Sequence, residues 1–222
     1  LNIKNNDVWP RDFTAGENSV NSEKIVQVNL DIEETKKLLR KAPKAYNTKI
    51  NDLLLTAFTL AWSEWTNTNF VTFDLEGHGR ELVNRDIDIT RTLGWFTSVY
   101  PVQLTLDTSS DLATALKLVK EQLRQLPEQG INFGLLKYLC KDKHVREAFQ
   151  LLPKPNISFN YLGQWDQLRD NKKLFNFENN MLCWSTDIAN KRFYELSVNS
   201  YVANGCLEVL WSYSDTIHHE ET

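Results

Sequence analysis

Phe70-Val71-Thr72-Phe73-Asp74-Leu75-Glu76-Gly77-His78-Gly79-Arg80-Glu81, followed further on by Arg91-Thr92-Leu93-Gly94-Trp95-Phe96-Thr97-Ser98-Val99-Tyr100-Pro101-Val102-Gln103-Leu104, is the stretch on which the fold turns. Residues 70–76 alternate as a strand does, with Val71, Phe73 and Leu75 on one face. Thr72, Asp74 and Glu76 fall on the other, which predicts three polar groups turned toward water or a cleft. The strand then runs into Gly77-His78-Gly79, where two glycines permit backbone angles that other residues resist. A carboxylate is thereby delivered to a strand end, beside a histidine and an arginine.

Working outward, the length suits one substantial α/β domain with a buried core, or two small ones. With 41% hydrophobic and 24% charged residues, the composition is that of an ordinary globular chain. A net charge of -4 argues against a general nucleic-acid or anionic-membrane binder, since both need a basic face. No apolar run approaches the roughly 20 residues of a membrane span. Cys140, Cys183 and Cys206 are widely spaced and odd in number, which reads as free thiols in a reducing cytoplasm.

Upstream of the central stretch, residues 1–22 are polar and irregular, so they are expected to be a linker with further chain before it. Residues 23–30 read as a strand. Asp31, with Glu34 three residues on, predicts a capped helix carrying Ile32, Thr35, Leu38 and Leu39 and closed before Pro43. A longer helix follows, with Thr48 as its expected cap and a core stripe of Ile50, Leu53, Leu54, Ala57, Phe58, Ala61, Trp62 and Trp65. Thr66-Asn67-Thr68-Asn69 turns the chain into the central strand.

Downstream, Arg80 to Arg91 crowds charges of both signs and reads as a solvated loop. Val99 to Leu106 resumes as a strand in which Pro101 suggests an edge. Thr108 with Asp111 is expected to cap a helix ending at Pro127, and shorter helices are predicted at 135–141 and 145–151. Ile157 to Gly163 is a strand with Ile157, Phe159 and Tyr161 on one face and Ser158 and Asn160 on the other. Tyr194 to Val202 and Cys206 to Tyr213 form a hairpin through Asn204-Gly205. Ser214-Asp215 is expected to cap a terminal helix that includes His218-His219.

Gly77-His78-Gly79 lacks the third glycine and the Lys-Ser/Thr pair of a phosphate loop. Asp74, Glu76 and His78 share a strand face, but no second cluster completes a metal sphere, so no metal is expected. A nucleophile elbow is absent. Two readings of Glu76 remain level: a general acid/base carboxylate, or a partner of Arg80 that only pins the loop.

Glu76-Gly77-His78-Gly79-Arg80-Glu81, Arg91 to Thr97 with Tyr100-Pro101, and Phe159-Asn160-Tyr161-Leu162-Gly163-Gln164 resemble three signature motifs of epimerization domains. These domains belong to the condensation-domain superfamily of non-ribosomal peptide synthetases. Leu53 to Ala57 and Tyr213-Ser214 also fit. In true condensation domains the first two segments read differently, which favours the epimerase-like subtype. The family's double-histidine motif, which lies in an N-terminal lobe, has no counterpart here. The resemblance is therefore to a C-terminal lobe, residues 23–222, preceded by the inter-lobe linker.

The resemblance implies a fold and a reaction. The fold is a chloramphenicol-acetyltransferase-like α/β lobe, a mixed β-sheet with helices packed on it. The reaction converts an L-aminoacyl or peptidyl group, held as a thioester on the phosphopantetheine arm of a peptidyl carrier protein, to its D form by α-proton removal and return. No cofactor is expected on the lobe itself. Glu76, Asn160 and Tyr161 are the implied catalytic residues, and His78, Arg80, Trp95 and Phe96 the implied substrate contacts. Alternation sets Asn160 and Tyr161 on opposite faces, so both serve only if the strand ends or bulges there. Trp95-Phe96 is expected to shape a tunnel floor. The missing N-terminal lobe with its histidine and the neighbouring synthetase domains are the implied partners, and the lobe alone is expected to be inactive. A non-catalytic carrier-docking scaffold and an amide-forming condensation domain are the alternatives.

Overall fold

The computed structural model describes residues 3, 9–80, 88–107, 111–165 and 186–222. The chain forms two compact units, each assembled from two separate segments: Leu1–Trp9 with Ala42–Phe159, and Pro10–Lys41 with Asn160–Thr222.

The first unit is built on β2 (Phe70–Gly77). β3 (Ser98–Thr105) pairs with it antiparallel, Phe73 opposite Val102 and Glu76 opposite Val99. The start of β4 (Ile157–Gln164) pairs with it parallel, Asp74 beside Ser158 and Leu75 beside Phe159. The sheet is therefore mixed, and β3 is an edge strand that tolerates Pro101. Opposite residues share a face, so Val71, Phe73, Leu75, Tyr100, Val102 and Leu104 make one buried surface. α3 (Ile50–Thr66) and α4 (Leu112–Arg124) pack with this part of the fold, Phe58 meeting Phe73 edge-on at 5.5 Å.

Two expectations about this unit are corrected. The buried stripe of α3 is Asp52, Leu55, Thr56, Phe58, Thr59 and Trp62, while Ala57 and Ala61 are exposed. Threonines displace alanines because Thr56 and Thr59 donate their hydroxyls to the carbonyls of Asp52 and Leu55, at 2.6 and 2.7 Å. A satisfied hydroxyl can be buried at little cost. Nor does Thr48 cap the helix. The N-cap is Lys49, whose backbone N–H is taken by the Asp52 carboxylate at 2.7 Å. α4 begins at Asp111, which accepts the Thr114 N–H; Thr108 lies outside the described residues. Beyond α4, a turn at Asn132–Gly134 leads into a π-helical Leu135–Leu139, and a helix at Lys143–Gln150 is capped by Asp142.

In the second unit β1 (Glu23–Asn29) pairs antiparallel with β6 (Cys206–Ser214), and β6 with β5 (Leu196–Ala203). The β5–β6 turn places Asn204 and Gly205 at φ of 54° and 79°, the twist a two-residue hairpin demands. α1 (Ile32–Arg40) starts at Asp31, whose carboxylate receives the Glu34 N–H while Glu34 reaches back. It is fastened to β6 by buried Thr35, whose hydroxyl accepts the Leu207 N–H at 2.8 Å. Thr35→Val keeps the shape and orphans that amide, so it is expected to cost about 1–3 kcal/mol. A shifted urea midpoint at constant m-value checks this; an unchanged midpoint refutes it.

The expected terminal helix is absent among the described residues; 215–221 are turns. Ser214 ends β6 with its hydroxyl engaged by Ser22 and Thr216, and Asp12 instead receives the His219 N–H and the Thr222 hydroxyl. His218 is buried, and desolvation lowers its proton affinity. Residues 10–22 pack against this unit, with the amides of Asp12 and Phe13 sharing the Ile217 carbonyl and Val20 bonding to Asn190. Cys140 and Cys206 are free thiols; Cys183 lies outside the described residues. Among the described residues no helix is long and apolar enough to cross a membrane.

Candidate functional site

β2 carries Glu76 to its penultimate position, where it is half-buried. The alternation is as expected, but its consequence is not: Thr72 and Asp74 are buried, not turned to water. The Thr72 hydroxyl accepts from the Gln103 side-chain amide at 2.8 Å, which offsets the cost of burying it. Only Glu76 of the three reaches partly open space. Burial, and then the like charge of Asp74 two residues back, push the Glu76 carboxyl above its ordinary proton affinity.

That direction bears on the two readings of Glu76. A carboxylate pinned by an arginine is pushed down; Glu76 is pushed up. Arg80 directs its guanidinium elsewhere. One terminal nitrogen donates to the carbonyls of Ile89 and Thr92 at 2.8 and 3.1 Å, and the other to Gly94 at 3.0 Å. The same guanidinium lies over the Phe96 ring, 4.5 Å from its centroid. Residues 81–87, where surface ion pairs were expected, lie outside the described residues.

His78 is exposed, and its Nδ1 accepts the Arg80 N–H at 3.0 Å, which leaves Nε2 as the protonated nitrogen of the neutral ring. Gly79 is buried at φ 64°, and a Cβ there would lie 1.5 Å from the Phe96 carbonyl oxygen. Only glycine allows that approach. Phe96 is half-buried; Leu93 and Trp95 are 100% and 89% exposed.

The structure thus brings Glu76, His78, Arg80, Trp95 and Phe96 into the first unit, while Asn160 and Tyr161 belong to the second. β4 runs on to Gln164, so Asn160 and Tyr161 remain on opposite faces. The Asn160 carbonyl accepts from the Ser200 hydroxyl at 3.2 Å. The Tyr161 hydroxyl is buried with no hydrogen-bond partner among the described residues, and desolvation raises its proton affinity, which keeps it a donor.

A cleft of about 370 Å³ in the second unit is lined by Glu23, Lys191, Arg192, Phe193 and Tyr194 among others, and by none of the candidate residues. Among the described residues no group of His, Cys, Asp and Glu is arranged to hold a metal. Sequence reading missed two contributors. Asp74 is discoverable, being two residues from Glu76 on one strand face. The carbonyls that hold Arg80 carry no side-chain signal at all.

A mixed sheet with packed helices defines a chloramphenicol-acetyltransferase-like α/β lobe, and comparison with known proteins places it. The Condensation domain family matches residues 3–222, and the chain belongs to that family. It is 42% identical over 212 residues to a linear gramicidin synthase of Brevibacillus parabrevis, a match covering 96% of this chain and 3% of that protein. Surfactin synthase subunit 1 of Bacillus subtilis (strain 168) is 39% identical over 214 residues, 96% of this chain and 6% of that one. Among solved structures, the epimerization domain from the third module of tyrocidine synthetase B superposes with a TM-score of 0.88 at 33% identity. That match covers 99% of this chain and 48% of the other, so the chain spans about half of that domain and a small part of its curated relatives.

Proposed function

We propose that this chain is the C-terminal lobe, led by its inter-lobe linker, of a synthetase epimerization domain that interconverts L and D forms of an aminoacyl or peptidyl thioester. The observation that carries the reading is Glu76: a half-buried carboxyl of raised proton affinity, at a strand end, inside Glu76-Gly77-His78-Gly79-Arg80-Glu81. Its environment suits a group that must take a proton from carbon and return one. The thioester acidifies the α-proton, and the enolate needs donors in a site shielded from water. Tyr161, with its unbonded hydroxyl, and Asn160 are the proposed donors. His78, Trp95 and Phe96 are proposed to line the substrate's path.

The other proton-handling group is a histidine of an N-terminal lobe, so this lobe is inactive by itself. The substrate arrives on the phosphopantetheine arm of a carrier protein, beside other synthetase domains, and the free Cys140 and Cys206 suit a reducing cytoplasm. The test joins the two lobes and supplies a carrier-bound L-aminoacyl thioester in D₂O. Deuterium at the α-carbon with a growing D fraction is expected; carrier binding without exchange refutes the assignment. Amide-forming condensation is the second reading, favoured by the family match itself, and it would give a dipeptide from two loaded carriers.

A further inference from the structure

We infer that Arg80 is a positioning residue: it ties the turn that carries Glu76 to the loop that carries Trp95 and Phe96, and does not bind substrate. The inference rests on Glu76 being the proton-handling group and concerns what holds it in place. Its ground is the geometry of four contacts.

Three carbonyl oxygens, from Ile89, Thr92 and Gly94, converge on one guanidinium. Their dipoles would repel one another if nothing positive stood between them. A cation with a rigid fork of donors answers that arrangement, and charge-assisted bonds of this kind are about twice as strong as neutral ones. The Phe96 ring closes one side of the guanidinium, where its π-face attracts the cation. Gly79 meets the Phe96 carbonyl directly, and no side chain fits between them. His78 Nδ1 holds the Arg80 amide and so fixes the turn as it leaves β2.

Lysine cannot substitute. Its ammonium is a point charge without the planar fork, and it does not stack on a ring in the same way. Arg80 is also a short step along the chain from Glu76, so a loose clamp is felt at the carboxyl. A displacement of about 1 Å at a reacting group costs on the order of 10²-fold in rate. The proton affinity of Glu76 is set by burial and Asp74, so loss of Arg80 should leave it alone. Position and charge are thereby separable.

The experiment uses the complete two-lobe domain with carrier-bound aminoacyl thioester, and compares Arg80→Ala, Arg80→Lys and Gly79→Ala with the parent. Arg80→Ala is expected to lower kcat about 100-fold. KM and the rising limb of the pH profile should stay unchanged, while amide exchange across residues 92–97 accelerates without substrate. Gly79→Ala should give the same pattern, Arg80→Lys should not restore it, and added guanidinium ion should partly rescue Arg80→Ala. A raised KM with unchanged exchange overturns the inference and makes Arg80 a substrate ligand. Full activity in Arg80→Ala overturns it also. Glu76→Gln is measured in parallel: if it turns over normally, the assignment of Glu76 fails, while the exchange data still report whether Arg80 holds the loop.

Discussion

Glu76→Gln in the complete domain is expected to reduce α-proton exchange and L-to-D conversion by at least about 10²–10⁴-fold, the range a positioned acid or base supplies. The amide keeps the size of the side chain and removes its proton chemistry. In the parent, the base form of Glu76 is populated only above a proton affinity that burial and Asp74 have raised, so the rate should rise with pH through that value. The rising limb should vanish in the Gln variant. For stability the sign is opposite. A carboxyl with raised folded-state affinity contributes stability below its unfolded pKa and loses it as pH rises through the folded one. At neutral pH the parent holds a partly desolvated charge, so Glu76→Gln should unfold no more easily, and stabilisation is the natural outcome. Normal conversion with an unchanged pH profile would remove Glu76 from the mechanism.

The largest structural effect is expected at Asp52. Its carboxylate is 2% exposed and takes both terminal nitrogens of Arg124, at 3.0 and 2.6 Å, while also receiving the Lys49 N–H at the start of α3. Asp52→Ala removes a bidentate pair and a helix cap together. Breaking a buried pair costs about 3–5 kcal/mol. Arg124 is 38% exposed, so water recovers part of its charge and the lower end, about 3 kcal/mol, applies. Asp52→Asn keeps an acceptor for the Lys49 amide and should lose less. Urea unfolding of Asp52→Ala, Arg124→Ala and the double variant checks the coupling; strictly additive losses would show that the pair contributes nothing.

Much of the fold was legible because its signals are local. Asp31 and Glu34 cap one helix start as read, and Asn204-Gly205 sets the hairpin by backbone angle alone. The misreadings share a cause, which is that polar side chains found partners that periodicity does not weigh. Thr56 and Thr59 are core residues because each hydroxyl has a carbonyl within reach. Thr72 was expected in the open and is covered, its hydroxyl met by Gln103. Ser214 was expected to begin a helix and is held by Ser22 and Thr216. Of the candidate site, alternation placed Glu76 at its strand end, and motif likeness supplied Asn160 and Tyr161. Periodicity could not foresee a guanidinium held by backbone oxygens, since every residue but proline carries the same carbonyl and amide.

The two compact units are woven through one another along the chain, since each takes an early and a late segment. No single cut divides them, so limited proteolysis should not release either intact. During synthesis, β1 must leave the ribosome and wait, its edges bare, until the residues pairing Glu23 with Ser214 arrive. An exposed strand edge is where chains misassociate. Truncations near the C-terminus should therefore yield aggregate at the expense of soluble protein, even when they spare every residue near Glu76.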